Sequence, residues 1–452
     1  MSVRRSLLKA IERTVTPVVI RSKLLKERVK TGTVWNPLDD GYHQRPTETY
    51  DQLRSQDPIH FSQLINAWVF TRYEDCDAVL RDDKRFSNDS RNADQPASDR
   101  AANLNEARSI LMTDAPDHTR MRSLVSMAFT PRAIAALQPR IEQIVDEHLD
   151  EIAARVTAGE RHIDMLDAYA VPIPIRVIAE LLGVPSEDLP RFKVWSDRVA
   201  RTLEPTITGP EQAIAEEANA ELGTYFEGII EQRRLVPRDD LISRLIEAED
   251  AGDRLSHDEL LVTLRLILIA GNETTTNLIG NGLFALLKHP EQLERLRREP
   301  ELMESAIEEF LRYDSAVQTD GRTALEDIDW HGQTIKKGQQ VILLLGGANH
   351  DPARFDRPER LDITRGSKQH LSFGRGIHHC LGAPLARMEG QVAFGRLLQR
   401  YETIRLVADP RYKDHIVLRG LKQLPVDLTP VHASATSSAS GQSEVGATAA
   451  SR

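Results

Sequence analysis

The stretch Phe373-Gly374-Arg375-Gly376-Ile377-His378-His379-Cys380-Leu381-Gly382 decides how the rest of the chain is read. At its centre is Cys380, one of two cysteines in 452 residues. A thiolate ligates haem iron strongly and donates electron density that favours O–O cleavage. Glycines on both sides let the backbone approach a large flat cofactor in conformations that other residues resist. Close backbone also brings N–H groups near the sulphur, where they tune the iron's potential. Leu385, Ala386 and Met388, broken by Arg387 and Glu389, predict a helix directly after the cysteine. Its N-terminal dipole would favour a negative sulphur. The competing reading is a Gly-rich turn that carries a buried, inert thiol. Zinc fits poorly, because His378-His379-Cys380 is too compact for the usual Cys/His spacings.

Composition narrows the class. Hydrophobic content of 40% and charged content of 28% fit a globular chain. The formal net charge of −10 argues against general affinity for nucleic acid. Cys76 and Cys380 form no disulfide framework, so a reducing, cytoplasmic setting is the simpler reading. No run approaches the apolar length of a membrane span, and the N-terminus lacks a compact apolar segment with a small-residue cleavage site.

Residues 1–30 carry Leu7, Leu8, Ile11, Val15, Val18, Val19, Leu24 and Leu25 at roughly helical spacing among nine Lys and Arg residues. Such a helix either lies on an anionic membrane surface or packs on the protein's own body, and Pro17 interrupts it. Pro46 opens a helix to about residue 55, residues 59–71 read as a hairpin, and Tyr73–Leu80 as a short helix. Residues 82–110 form a polar loop of the length often found in lids. His118 and Arg122 lie four apart on one face of the next helix. Thr130-Pro131 caps a helix running to about residue 156. Residues 163–182 read as largely helical, and the loose stretch 204–210 separates two further helices.

Ser256 and Glu259 form a capping box ahead of an apolar helix whose middle reads Ala270-Gly271-Asn272-Glu273-Thr274-Thr275. Glycine and an acid are both costly in a buried helix. A dent that admits O2, flanked by a proton relay, accounts for both. The ordinary alternative has Thr274 bonded back to a carbonyl and Glu273 in water. Glu309 and Arg312, three apart on a later helix, can form a charge-assisted pair. Leu343–Gly346 reads as a central strand. Residues from His432 onward, rich in Ser and Ala, read as a disordered tail.

Together these motifs resemble those of the cytochrome P450 family over roughly residues 46–430. The resemblance implies a mainly α fold with a smaller β-rich part, with haem b between the long central helix and the cysteine loop. Residues 1–45 would then be an N-terminal extension, 46–430 one catalytic domain and 431–452 the tail. Within the haem-binding signature, Phe373, Gly374, His378, Cys380 and Gly382 match the family's spacing, with Cys380 as the axial iron ligand. The family's distal-helix motif falls on Ala270, Gly271, Glu273 and Thr274. There Thr274 would hydrogen-bond the iron-bound dioxygen and Glu273 would take part in proton delivery. His118, Arg122, Arg322 and His378 match its propionate donors. Glu309 and Arg312 match a buried pair completed by a later arginine, which is assigned here to Arg360.

Asn272, Val317, Gln318 and Thr319 match substrate-lining positions. The chain departs from the pattern at Ala316, where many relatives have Pro, and at His350, where they have Arg. The implied activity is that of a bacterial-type, class I-like monooxygenase: one atom of O2 enters a hydrophobic small molecule such as a steroid, terpenoid, fatty acid or macrolide. Electrons would come from NAD(P)H through a reductase and a ferredoxin or flavodoxin. Arg375, His379 and Arg120 suit an acidic partner of that kind. A monomer is expected. A peroxide-driven peroxygenase and a non-catalytic haem sensor or interaction protein are the alternatives.

Overall fold

A computed structural model describes residues 18–94, 108–126, 129–250 and 255–431. Part of the expected lid, the terminal tail and the first half of the basic extension lie outside the described residues.

The 32-residue helix His257–Lys288 is the axis of the fold. Ser256 accepts a hydrogen bond from the Glu259 amide while the Glu259 side chain accepts from the Ser256 amide, the expected capping box. The helix packs against Pro172–Leu182, Leu189–Ala200, Met303–Tyr313 and Ala383–Arg400. Leu264, Leu268, Leu283, Phe310 and Phe394 meet in the resulting core, and burying side chains of this size contributes about 1.5–3 kcal/mol each. No helix among the described residues is long and apolar enough to cross a membrane.

Among the described residues, ten strands form the β-rich part. They are β1 (Ile59–Ser62), β2 (Ala67–Phe70), β3 (Phe86–Ser87), β4 (Ile163–Asp164), β5 (Thr319–Ala324), β6 (Ile328–Trp330), β7 (Gln333–Ile335), β8 (Gln340–Leu344), β9 (Tyr401–Leu406) and β10 (Pro425–Pro430). The largest sheet has the order β1-β2-β8-β5-β3, with β2 and β8 parallel and its other pairs antiparallel. The strand expected at residues 343–346 is displaced. β8 ends at Leu344 because its last β5 partner is Thr319, and Leu345–Ala348 coils into one helical turn. The expected helix over 163–182 is likewise divided into β4, a π-turn at Leu166–Ala170 and the helix Pro172–Leu182.

The boundary read at residue 46 does not separate two bodies. Trp35 and Tyr42 share a core with Tyr50, Leu53 and Val69. Residues 18–31 are helical and are anchored by Glu27, whose carboxylate is fully buried. It accepts from the Trp35 amide at 2.9 Å and the Gln63 amide at 2.9 Å, and contacts His60 Nε2 at 2.7 Å. Satisfying a buried carboxylate in this way is what makes its burial affordable.

A second buried charge cluster fixes the segment leading to Cys380. Glu309 receives two hydrogen bonds from Arg312, both 2.8 Å. Arg312 also donates to the Asn349 and Pro358 carbonyls at 2.9 Å and to the Arg360 carbonyl at 3.2 Å. The later arginine of this cluster is Arg365, not Arg360: Arg365 Nε lies 3.1 Å from Glu309 Oε2. Arg360 contributes only its carbonyl, and its exposed side chain reaches Glu359 at 3.9 Å. The turn at Asp362, whose amide donates to Glu309 at 2.9 Å, carries the chain past Arg360 before a guanidinium can point inward.

Two predictions follow from these clusters. Arg365→Ala should lower the unfolding free energy by about 1–3 kcal/mol, whereas Arg360→Ala should change it by less than about 0.5 kcal/mol, as measured by urea denaturation. Burial pushes the His60 pKa down, but hydrogen bonds to Asp57 and Glu27 outweigh it and the net shift is upward. The stabilisation from protonated His60 is therefore complete below its unfolded pKa, near 6.5, and is lost as pH rises through the higher folded value. Hydrogen exchange in residues 18–31, corrected for intrinsic rates, should show protection falling across that window, and His60→Gln should remove the dependence.

Candidate active site

The cysteine loop is held by its glycines and its neighbours. Gly374 and Gly376 adopt φ of 65° and 67°, where side chains are disfavoured. A Cβ at Gly376 would also collide with the Leu80 carbonyl, so the loop presses directly on the helix Tyr73–Arg81. The Cys380 amide donates to the Phe373 carbonyl at 2.8 Å, closing the loop. The expected helix follows as Ala383–Arg400. Surrounding protein raises the thiol pKa, while the Gly382 and Ala383 amides and the Arg122 and Arg387 charges oppose that rise. Cys380 is nevertheless exposed on one side.

Glu308, which sequence reasoning passed over, braces this loop. Its carboxylate contacts Arg387 at 2.5 and 3.0 Å and His370 at 3.1 Å. Burial raises its pKa, but these two partners prevail and hold it at about 2. The Arg387 guanidinium also lies 4.7 Å from the centre of the Phe373 ring. The available signal was Arg387 itself, an interruption in the apolar pattern after Cys380.

His118, Arg122, Arg322 and His378 converge from three separate elements. The His118 and His378 ring centres are 4.1 Å apart, and Arg122 and Arg322 both act electrostatically on His378. Burial, followed by His118 and then by Arg322 and Arg122, lowers the His378 pKa to about 3. His118 is 1% exposed, and neither of its ring nitrogens has a hydrogen-bond partner. Arg122 donates to the His379 carbonyl at 2.5 Å, and Arg322 donates to Asp320 and Gly321 at 2.8 and 2.7 Å. A buried imidazole without partners is costly, and His118 set beside two guanidiniums is the chemistry expected around an anionic group.

On the central helix, Ala270 is exposed and Thr274 partly so. Thr274 Oγ1 donates to the Ala270 carbonyl at 2.6 Å. Glu273 does not face water: it is 7% exposed and lies 2.7 Å from Lys413 Nζ. Lys413 comes from the distant segment between β9 and β10, so helical spacing gave no sign of it. Beside the pair lies a cavity of about 340 Å³ lined by Asp197, Asn272, Lys413 and His415 among others. Asn272 donates to Ser196 at 3.0 Å, and its buried oxygen has no partner. Gly271 does not form the expected O2 dent, since a Cβ there would meet Ile178 Cδ1 at 2.5 Å. It allows the helix Pro172–Leu182 to approach instead.

The expected substrate-lining residues divide. Val317 forms a β-bridge with Leu418 and Thr319 pairs with Leu344 in the sheet. Gln318 is held by the Tyr50 hydroxyl at 2.7 Å and donates to the Ser315 carbonyl at 2.7 Å, so its amide serves the fold. His350, at the position of the family's arginine, is buried and bonds the Gly346 carbonyl at 3.0 Å; burial lowers its pKa to about 3. Of the cations expected to steer a partner, Arg120 pairs with Glu259 and Arg375 lies 3.5 Å from Asp77.

The cytochrome P450 family model matches residues 65–422. A polyketide-biosynthesis cytochrome P450, PksS of Bacillus subtilis, is 40% identical over 411 residues, covering 88% of this chain and 99% of the relative. The vitamin D(3) 25-hydroxylase of Pseudonocardia autotrophica is 40% identical over 418 residues, covering 88% and 98%. Among solved structures, PksS superposes with a TM-score of 0.80 over 88% of this chain and all of its own. The testosterone complex of CYP109E1 from Bacillus megaterium superposes with a TM-score of 0.77 at 36% identity, covering 86% and 99%. The chain belongs to the cytochrome P450 family. It is a bacterial-type haem-thiolate monooxygenase with the hydrophobic substrates of that class; haem b and O2 accompany that membership.

The residues present fit such a cofactor. An exposed thiol, the uncovered Ala270–Thr274 face and the unpartnered His118 nitrogens supply a ligand, an apolar-to-polar face and donors for carboxylates. Replacing His118 by Phe should weaken haem retention several-fold in a transfer assay to apomyoglobin, with little change in the thiolate spectrum. Equal retention would remove His118 from the haem-holding set.

Proposed function

We propose that Cys380 is the axial ligand to haem iron, with His118, Arg122, Arg322 and His378 holding the propionates, and that Glu273 and Thr274 deliver protons during oxygen insertion. The bound haem supplies O2 activation and oxidising power. The protein's own tasks are to hold the sulphur, orient the substrate and admit protons at a controlled point. Phe373, Gly374 and Gly382 shape the cysteine loop, and Ala270 gives the distal face its low profile.

The observation that carries the proton assignment is the Glu273–Lys413 pair at the edge of a cavity. Glu273 takes a proton at its carboxylate after rotating away from Lys413 and presents it to Thr274 Oγ1. The hydroxyl now donates to the Ala270 carbonyl, so turning it inward exchanges one hydrogen bond for another. General acid–base contributions of this kind are worth about 10²–10⁴ in rate.

The substrate class is a steroid, terpenoid, fatty acid or macrolide-like molecule, and electrons arrive from NAD(P)H through a reductase and a ferredoxin or flavodoxin. Names such as vitamin D(3) 25-hydroxylase and polyketide-biosynthesis P450 among the relatives support large apolar substrates.

The reduced carbon monoxide difference spectrum should lose its thiolate band in Cys380→Ala; persistence of the band would overturn the ligand assignment. With a ferredoxin system, Glu273→Gln and Thr274→Ala should each lower product formed per electron consumed by about tenfold or more. Turnover driven by peroxide, which already carries its protons, should fall much less. Equal losses in both assays would make the pair structural.

A further inference from the structure

The helix at residues 18–31 is docked by one face and leaves another open. At 3.6 residues per turn, Val18, Leu25 and Val29 lie within about 40° of one another and roughly opposite Glu27. They are 63%, 63% and 80% exposed. Arg21 and Arg28 flank this stripe on one side and Lys26 and Lys30 on the other, all four exposed. An outward apolar stripe bordered by cations on both edges is the pattern of a helix lying in a lipid interface. The arrangement is local, because the whole chain carries a formal charge of −10.

A second feature adjoins it. A cavity of about 390 Å³ opens beside the stripe, lined by Arg21, Leu24, Leu25, Arg28, Tyr42 and Asp39 among others, with the Asp39 carboxylate occupied in accepting from the Tyr42 amide. Two guanidiniums next to apolar side chains suit a phosphodiester with its acyl chains directed along the stripe.

We propose that this face is a docking surface for an anionic lipid bilayer, with Val18, Leu25 and Val29 entering the interface and Arg21 and Arg28 holding a lipid phosphate. The body behind it is positioned by the buried Glu27, so the helix lies along the membrane while the rest of the molecule stays outside.

The test is co-sedimentation of the full-length holoenzyme with vesicles rich in phosphatidylglycerol, with pure phosphatidylcholine vesicles as comparison. Binding is expected to the anionic vesicles and to fall with added salt. Leu25→Asp/Val29→Asp, and separately Arg21→Glu/Arg28→Glu, should each cut the bound fraction about tenfold or more, with the thiolate spectrum unchanged. No binding to anionic vesicles, or equal binding by both variants, overturns the proposal. So does a concentration-dependent dimer abolished by Leu25→Asp without vesicle binding, which would assign the stripe to a second copy.

Discussion

Glu308 and Glu309 are consecutive, and the architecture around Cys380 depends on what each carboxylate binds. Glu309 gathers Arg312, Arg365 and the Asp362 amide, fixing the irregular segment before the cysteine loop. Glu308 gathers His370 and Arg387, joining the start of that loop to the helix behind it. Both carboxylates are almost fully buried. Removing Arg312, the bidentate partner of Glu309, would leave a largely uncompensated buried charge, a loss of about 3–5 kcal/mol in comparable buried pairs, more than the loss of the single outer contact from Arg365. One short helix, Met303–Tyr313, therefore sets the cysteine loop from two directions.

The ordering extends through neutral groups. Asn349 donates to Ser315 and Ser372 at 2.7 and 2.9 Å and accepts from the Leu371 amide at 2.7 Å. Ser372 reaches the Leu311 carbonyl at 2.6 Å, one residue before Phe373. Charge fixes the frame and these neutral bonds set the register in which Cys380 emerges. The distal side is organised differently, with Glu273 tied to Lys413 and Thr274 to its own helix. Under the proposed roles, the contrast would set a rigid ligand opposite residues that turn.

Local patterns were readable in the sequence and distant partners were not. The capping box at Ser256, the helix after Cys380 and the Glu309–Arg312 pair depend on residues three or four apart, and each is present. Arg365 replaced Arg360 because a turn at Asp362 decides which guanidinium points inward, and no spacing rule contains that turn. Lys413 and Glu308 were missed for the same reason: their partners lie far along the chain or beyond a loop. Gly271 was assigned to the distal dent from composition, yet the space beside it belongs to Ile178. A glycine within a helix records close approach without recording whose.

The buried anchor at Glu27 has a practical consequence for where the chain can be cut. Its two oxygens serve the Trp35 amide, His60 and the Gln63 amide at once. A shortened protein that retains Glu27 keeps these groups satisfied, whereas one starting after it strands three of them against the first hairpin. The working N-terminal limit of the folded body is thus set by one acceptor, upstream of any boundary that a change in composition would suggest.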